Sequence, residues 1–434
     1  MSISKEFVIN KDKLVKYCGD GGCVIIPDEV GKIGNSVFEN CDTVIEVVIP
    51  ASVESVGKCA FRWCKNLKRV VIYAEETTVF EGAFYGCERL EEVVVTGNVR
   101  RIEIEAFQNC VSLSRFSVSG AVRYIGKLAF SGCSSLARFE VGRLFDMGWG
   151  VFEGCSKLEG MIIPEGATII KARSFIGCVG LKRVEIPEGV DEIEGRAFEN
   201  CVGLEQVCLP DSLEKIGTAA FKNCENLKRV DIPDSVTLLS VTAFANCKKL
   251  EWVKLSDSLT NIGYEAFKGC ESLTSVKFPD SLEGIGGDVF ENCTSLKQVV
   301  FGEFDIDPVY SGNEFFVNCP QLERILCSQD TAEMLIKSHG EEIAEKTVFG
   351  FLGRLDRGEA DENEKREWNG FICNNLSASV KAACSDVRFC GYILDNCSPR
   401  REEILAALER SRSIECRAML QNYLHSLVSS TVEN

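Results

Sequence analysis

The sequence predicts an α/β solenoid: a curved, right-handed stack of short coils with a parallel sheet on its concave face, followed by an α-helical C-terminal region. Three observations predict it. A Phe recurs at 38, 61, 84, 107, 130, 152, 175, 198, 221, 244, 267, 290 and 316, a spacing of 23 broken only by one 22 and a final 26. A Cys stands three residues after every one of them, from Cys41 to Cys319. A Leu stands six after, from Leu67 to Leu322, with Val44 the one exception. Self-similarity at a fixed period of this size marks stacked repeats. One coil cannot bury its own apolar face, whereas a stack buries a continuous core.

Residues 181–201 show the coil at its clearest. Leu181, Val184 and Ile186 give a short strand with apolar side chains on one face. Pro187 ends the pairing and turns the chain, and Pro recurs at this place at 50, 164, 210, 233 and 279. Val190 and Ile193 mark a second extended piece, and Ala197-Phe198 a brief helical turn. Rungs about 4.8 Å apart give a stack on the order of 60 Å long. The copies near 75–79, 96–104 and 143–148 are degenerate, and 301–316 carries a local insertion.

The ends read differently. Residues 7–27 suggest two strands, a Gly-rich turn and a third strand that cap the open end of the stack. The boundaries expected are 1–30 for capping strands, 31–327 for about 13 repeats, and 328–434 for a helical domain or cap, the cap being favoured. Within 328–434, helices are expected at 328–337 and 341–352, broken at Gly340. The charged stretch 354–367 reads as an exposed, partly helical connection. Ser398-Pro399 reads as a helix start before Ile404, Leu405 and Leu408, and Ile414, Leu420, Tyr423, Leu424 and Leu427 outline a last helix.

Chain-wide numbers narrow the function. The chain has 434 residues, 45% hydrophobic and 26% charged, and a mean hydropathy of +0.02, as in a globular protein. A net charge of −17 opposes binding to nucleic acid or an anionic membrane surface. Two histidines leave little for His-based acid–base chemistry or metal sites. No apolar run approaches the roughly 18 residues of a membrane span. Residues 1–10 lack the apolar core of a signal peptide, so a cytoplasmic location and a monomer are expected.

Twenty-three cysteines is a high and odd number, which fits thiols in a reducing compartment better than a disulfide framework. The thirteen in register read as small buried fillers. Stacked side chains at identical positions point parallel rather than at one another, and ligands on successive rungs make a line, not a tetrahedron. Cys18 and Cys23 flank a Gly-rich turn that could bring them close enough to oxidise, though a structural thiol pair is the expected reading. No cofactor or metal is expected.

The unit Ile-Pro-x-x-Val-x-x-Ile-Gly-x-x-Ala-Phe-x-x-Cys-x-x-Leu resembles the BspA-like (treponemal-type) class of the leucine-rich repeat family, over about residues 20–327. It departs from the standard leucine-rich unit in placing Cys three residues before Leu and in lacking an Asn ladder after the strand. The resemblance implies a leucine-rich-repeat solenoid that binds a protein partner without catalysis. BspA-like proteins are often surface-associated and implicated in adhesion to host proteins, which makes a cell-surface adhesin the alternative. Some bacterial leucine-rich effectors join their repeats to a helical ubiquitin-ligase domain with a Cys-x-Asp nucleophile. Cys384-Ser-Asp386 has that spacing and is the remote, enzymatic alternative.

A partner's place is then the concave face, formed by positions eight and ten after each Phe. The first row holds Arg115, Arg138, Arg183, Arg229 and Trp252. The second holds Glu140, Glu185, Asp231, Lys254 and Lys277. Arg beside acid suggests ion pairs that solvate the sheet, while Trp252, flanked by Lys254 and Lys277, has the look of an interface anchor. Arg115, Arg138, Arg183, Arg229, Trp252, Lys254 and Lys277 are therefore the candidate binding residues. Val48, Val71 and Val94 form an apolar stripe that is either a contact surface or covered by the N-terminal segment, coverage being slightly favoured.

Overall fold

The computed structural model describes the chain apart from residues 1, 4–5, 161–162, 165, 303–314, 329–330, 334, 337–340, 358–359, 385 and 431–434. It divides into two compact units, Met1–Val253 with Ala266–Cys270, and Lys254–Glu265 with Glu271–Asn434.

In the first unit each full coil contributes to two parallel sheets. Strand Arg183–Glu185 pairs with Gln206–Cys208, Val184 facing Val207, and strand Glu192–Ile193 pairs with Lys215–Ile216. The strand sequence explains the facing: Val184 is buried while Arg183 and Glu185 point out. Between the two strands Val190 donates its N–H to the Pro187 carbonyl, closing the expected turn, and the same bond joins Val53 to Pro50 and Val236 to Pro233. The expected helical turn around Phe198 is not a helix. Arg196 and Asn200, two residues either side, lie at φ 60° and 62°, in the left-handed region. That reversal drives the ring inward and returns the chain to the next strand.

The Phe side chains form the spine of the core. Phe38 and Phe61 stack with centroids 4.6 Å apart, Phe61 and Phe84 5.0 Å apart, and Phe198 and Phe221 5.2 Å apart, all within 8° of parallel. Parallel stacking follows from identical rotamers on successive rungs and buries one face of each ring on the next. At the N-terminal end, strands Phe7–Asn10 and Lys13–Tyr17 form an antiparallel hairpin. Tyr17 lies 4.8 Å from Phe38 and Phe7 5.5 Å from Tyr17, extending the aromatic column by two rings.

Where the repeats are degenerate the strands lengthen. Arg69–Val79 and Glu92–Ile102 each run for 11 residues through the place of the turn, because no Pro interrupts their pairing. Gly97 makes the corner at φ 130°. A Cβ there would lie 1.8 Å from the Ala74 carbonyl oxygen.

In the second unit, strands Ser275–Lys277, Gln298–Val300 and Arg324–Leu326 pair in parallel with one another, Val276 facing Val299 and Val299 facing Ile325. The insertion expected in 301–316 lies almost wholly outside the described residues. Helical residues at 331–333 and 335–336 fall within the helix expected at 328–337, and among the described residues six bounded helices follow: α1 Glu341–Asp356, α2 Glu362–Asn374, α3 Leu376–Ala383, α4 Val387–Asn396, α5 Arg401–Arg410 and α6 Ile414–Ser430. Helix α1 lies against strand Arg324–Leu326. At Gly350 a Cβ would stand 2.3 Å from the Ile325 carbonyl oxygen, so only glycine permits this approach. Phe351 stacks on Trp368 at 4.7 Å, and Phe371 meets Trp368 edge-on, tying α1 to α2.

Several helical expectations need correcting. The stretch 354–367 is not mainly a connection: α2 begins within it, with Asp361 as N-cap accepting the Glu364 N–H at 2.8 Å. Helices α3 and α4 have no counterpart in the sequence reading. Helix α5 starts at Arg401, after Ser398 and Pro399, with the Glu403 carboxylate reaching back to the Arg400 N–H at 2.6 Å. The break at Gly340 lies outside the described residues.

Candidate partner-binding face

The register of the strands brings the expected rows together. Glu46, Arg69, Glu92, Arg115 and Arg138 are direct neighbours across five strands, as are Arg183, Gln206 and Arg229 across three. The two stretches differ electrostatically. In the first, Arg69 bonds both Glu46 and Glu92 at 2.9 Å, and Arg115 bonds Glu140 at 2.9 Å and Glu92 at 3.4 Å. Glu46–Arg69–Glu92–Arg115–Glu140 is thus one unbroken chain of opposite charges, in which Glu92 and then Glu46 push the Arg69 pKa up. This is the expected pairing across rungs, with Arg69 and Arg115 each reaching acids on the strands to either side.

Beyond Arg115 this mutual neutralisation fades. Arg138 is exposed and makes no ion pair among the described residues. Arg183 pairs with Glu185 on its own strand. Arg229 does not pair with Asp231 among the described residues; its guanidinium lies 5.1 Å from the centre of the Trp252 ring. Trp252 is 37% exposed, one of few large apolar side chains on this face. A cation held over the ring restrains both side chains before any partner arrives. Lys254 and Lys277, in the second unit, are exposed.

The apolar stripe is not covered by the N-terminal segment. Strand Gly22–Ile25 pairs edge to edge with Val44–Ile49, Ile25 opposite Val48, so the stripe becomes Ile25, Val48, Val71 and Val94. Ile25 is 65% exposed. The segment is short and its own strand needs hydrogen-bond partners, which the sheet edge supplies and the sheet face does not.

The cysteine column does more than fill space. Each thiol from Cys64 to Cys270 donates to the carbonyl of the Phe one coil earlier, as in Cys64 to Phe38 at 3.0 Å, Cys133 to Phe107 at 3.1 Å and Cys224 to Phe198 at 3.2 Å. That carbonyl also accepts the N–H of the Cys in its own coil, so both its lone pairs are used. Burial pushes these thiols up, Cys201 to about 12. A second ladder, of Asn side chains, has no counterpart among the sequence expectations. Asn223 donates to Asn200 at 2.7 Å and Asn246 to Asn223 at 2.9 Å. Its signal was present: the position two after Phe is Asn or Gly in every coil but that of Trp63, the residues that tolerate a left-handed backbone.

The Cys-x-Asp candidate does not form a reactive pair. Cys384 is buried, and burial pushes its thiol up, away from the thiolate. Asp386 caps α4 by accepting the Arg388 N–H at 2.9 Å, and the Arg388 side chain holds its carboxyl below the usual range. Among the described residues no helix is long and apolar enough to cross a membrane.

The family model for the BspA type leucine rich repeat region matches in six copies, over residues 11–141, 146–251 and 237–338. Among solved structures, a leucine-rich repeat protein from Bacteroides ovatus is 25% identical, with a TM-score of 0.55, and covers 75% of this chain and 91% of its own. A leucine rich cell surface protein from Faecalibacterium prausnitzii is 23% identical, with a TM-score of 0.37, over 76% of this chain and 95% of its own. No curated protein sequence matches.

Proposed function

This chain belongs to the BspA-type leucine-rich repeat family, and from that premise we propose that it is a non-enzymatic scaffold that binds a protein partner on its exposed strand rows. The contact centres on Arg138, Arg183, Arg229 and Trp252 of the first unit; Lys254 and Lys277 are candidate contact residues of the second unit by itself. Arg115, locked in its charge chain, lies at the margin. The observation that carries this reading is Trp252 under Arg229. A partly exposed indole with a cation over it supplies a large apolar area together with a directional charge, the combination that dominates protein interfaces. The net charge of −17 disfavours nucleic acid here. The hairpin at 1–30 and the helices after 328 then act as the two caps, a role supported by Tyr17 on Phe38 and by α1 on strand Arg324–Leu326.

A photo-crosslinking residue placed at 252, and a second at 115, test the proposal in the native host. A discrete adduct from 252 that is absent from 115 and lost on Arg229→Glu supports it. Equal adducts from both positions, or none from 252, overturn it. Family membership favours a second reading, a cell-surface adhesin using the same face. Protease shaving of intact cells separates the two, since only a surface protein is cleaved.

A further inference from the structure

The helical region holds a pair of sulfurs that nothing in the repeat fold accounts for. Cys373 lies in the last turn of α2 and Cys397 is the C-cap of α4. Their Sγ atoms are 2.6 Å apart. The two free thiols are thus in direct contact, one within hydrogen-bonding reach of the other. Among the described residues neither cysteine belongs to a cluster of metal-ligating side chains. We propose that Cys373 and Cys397 are a redox pair that closes to a disulfide, the site of oxidative modification in this protein.

The surroundings are built for it. One turn before Cys373, Asn369 accepts a hydrogen bond from the Tyr392 hydroxyl at 2.7 Å. The two tie points, 369 with 392 and 373 with 397, hold the C-terminal turns of α2 and α4 together. The Cys397 N–H is bonded to the Ile393 carbonyl at 3.0 Å, which fixes the backbone of the cap. The two thiols are thus already in contact before any bond forms.

The two sulfurs have different access, which sets the order of events. Cys373 is exposed and Cys397 is buried. The Cys373 thiol loses its proton and the thiolate attacks a low-molecular-weight disulfide, forming a mixed disulfide and expelling one small thiolate. Cys397 then loses its proton and attacks the Cys373 sulfur, expelling the second. Two protein thiols and one small disulfide become one protein disulfide and two small thiols, with electrons and protons conserved. Burial and the neighbouring sulfur push the Cys397 thiol up to about 12, which makes it the resolving partner. The ladder thiols from Cys64 to Cys270 are buried, and each donates to a carbonyl it would have to abandon on oxidation. The pair can therefore switch while the solenoid stays reduced.

The test uses the full-length protein, reduced and then exposed to oxidised glutathione, alkylated and mapped by peptide mass spectrometry. One crosslink joining the Cys373 and Cys397 peptides, with a loss of 2 Da and the ladder still reduced, is the expected result. Cys373→Ser and Cys397→Ser each abolish it, and the wild-type protein melts several degrees higher oxidised than reduced, because a closed loop of this length constrains the unfolded chain. Independent alkylation of both cysteines after oxidant, or a crosslink from Cys373 to any other cysteine, overturns the proposal. The wild-type map alone decides this, even where a variant fails to fold.

Discussion

The thiol of Cys201 donates a hydrogen bond to the carbonyl of Phe175, 3.0 Å away in the preceding coil. The same carbonyl receives the N–H of Cys178 at 3.1 Å within its own coil. A column that reads as apolar filling is also a row of staples between coils, and Ala or Val of similar size supplies no donor. Cys201→Ala should lower stability by about 1–2 kcal/mol, the cost of a lost buried donor together with a small cavity. Urea unfolding at pH 7 measures it.

The same burial predicts a pH dependence. An unfolded Cys ionises near about 8.5, whereas folded Cys201 holds its proton to about 12. The folded state binds the proton more tightly, so this stability is complete below pH 8.5 or so and is lost as pH rises toward 12. Each such thiol steepens the alkaline loss by up to about 1.4 kcal/mol per pH unit. Urea midpoints from pH 7 to 10.5 should fall, and fall less steeply in Cys201→Ala than in the wild type.

Asn223 sits at φ 61° and holds two links of the Asn ladder. Asn223→Gly loses the links but keeps the backbone at ease. Asn223→Ala loses the links and places a Cβ in the left-handed region, adding about 1 kcal/mol. Ala should therefore melt below Gly, the reverse of their usual order in regular structure. Paired thermal melts decide it.

On the binding face, Trp252→Ala should weaken the partner complex at least about 30-fold, the mark of a hot spot. Arg115→Ala should change it less than about threefold, since an exposed pair contributes about 1 kcal/mol or less. Neither change should alter the melting temperature appreciably, because both side chains lie outside the core. Titration of the captured partner with each variant supplies the comparison.

Asp386 acts as a helix cap. Asp386→Ala should destabilise the helical region by about 1 kcal/mol and leave partner binding intact, with Cys384 still slow to alkylate. Rapid labelling of Cys384 in the native protein would contradict this assignment.

Much of the architecture was legible because a solenoid turns sequence period into spatial contact. A residue meets the one 23 positions on, so the Phe stack, the two parallel sheets and the facing of Arg183 and Glu185 follow from the repeat. The Asn ladder could have been read from the same period, in the column where only Asn, Gly and Trp63 occur. The charge chain was legible as pairing across rungs but not in its particular partners. That Arg69 bridges both Glu46 and Glu92, and that Arg229 takes Trp252 over Asp231, depends on side-chain torsions that a row of letters does not contain.

The sequence by itself therefore determined the family, the coil and its core, since nearest-neighbour stacking makes each coil's surroundings a copy of its own. Tertiary structure alone decided three things. It gave the cysteine column its carbonyl acceptors, set the N-terminal strand beside the apolar stripe rather than over it, and brought Cys373 to Cys397. The physical reason is common to all three. Away from the repeat no period links one residue to another, and which groups meet is settled by how helices and strand edges satisfy their own hydrogen bonds and bury their apolar faces.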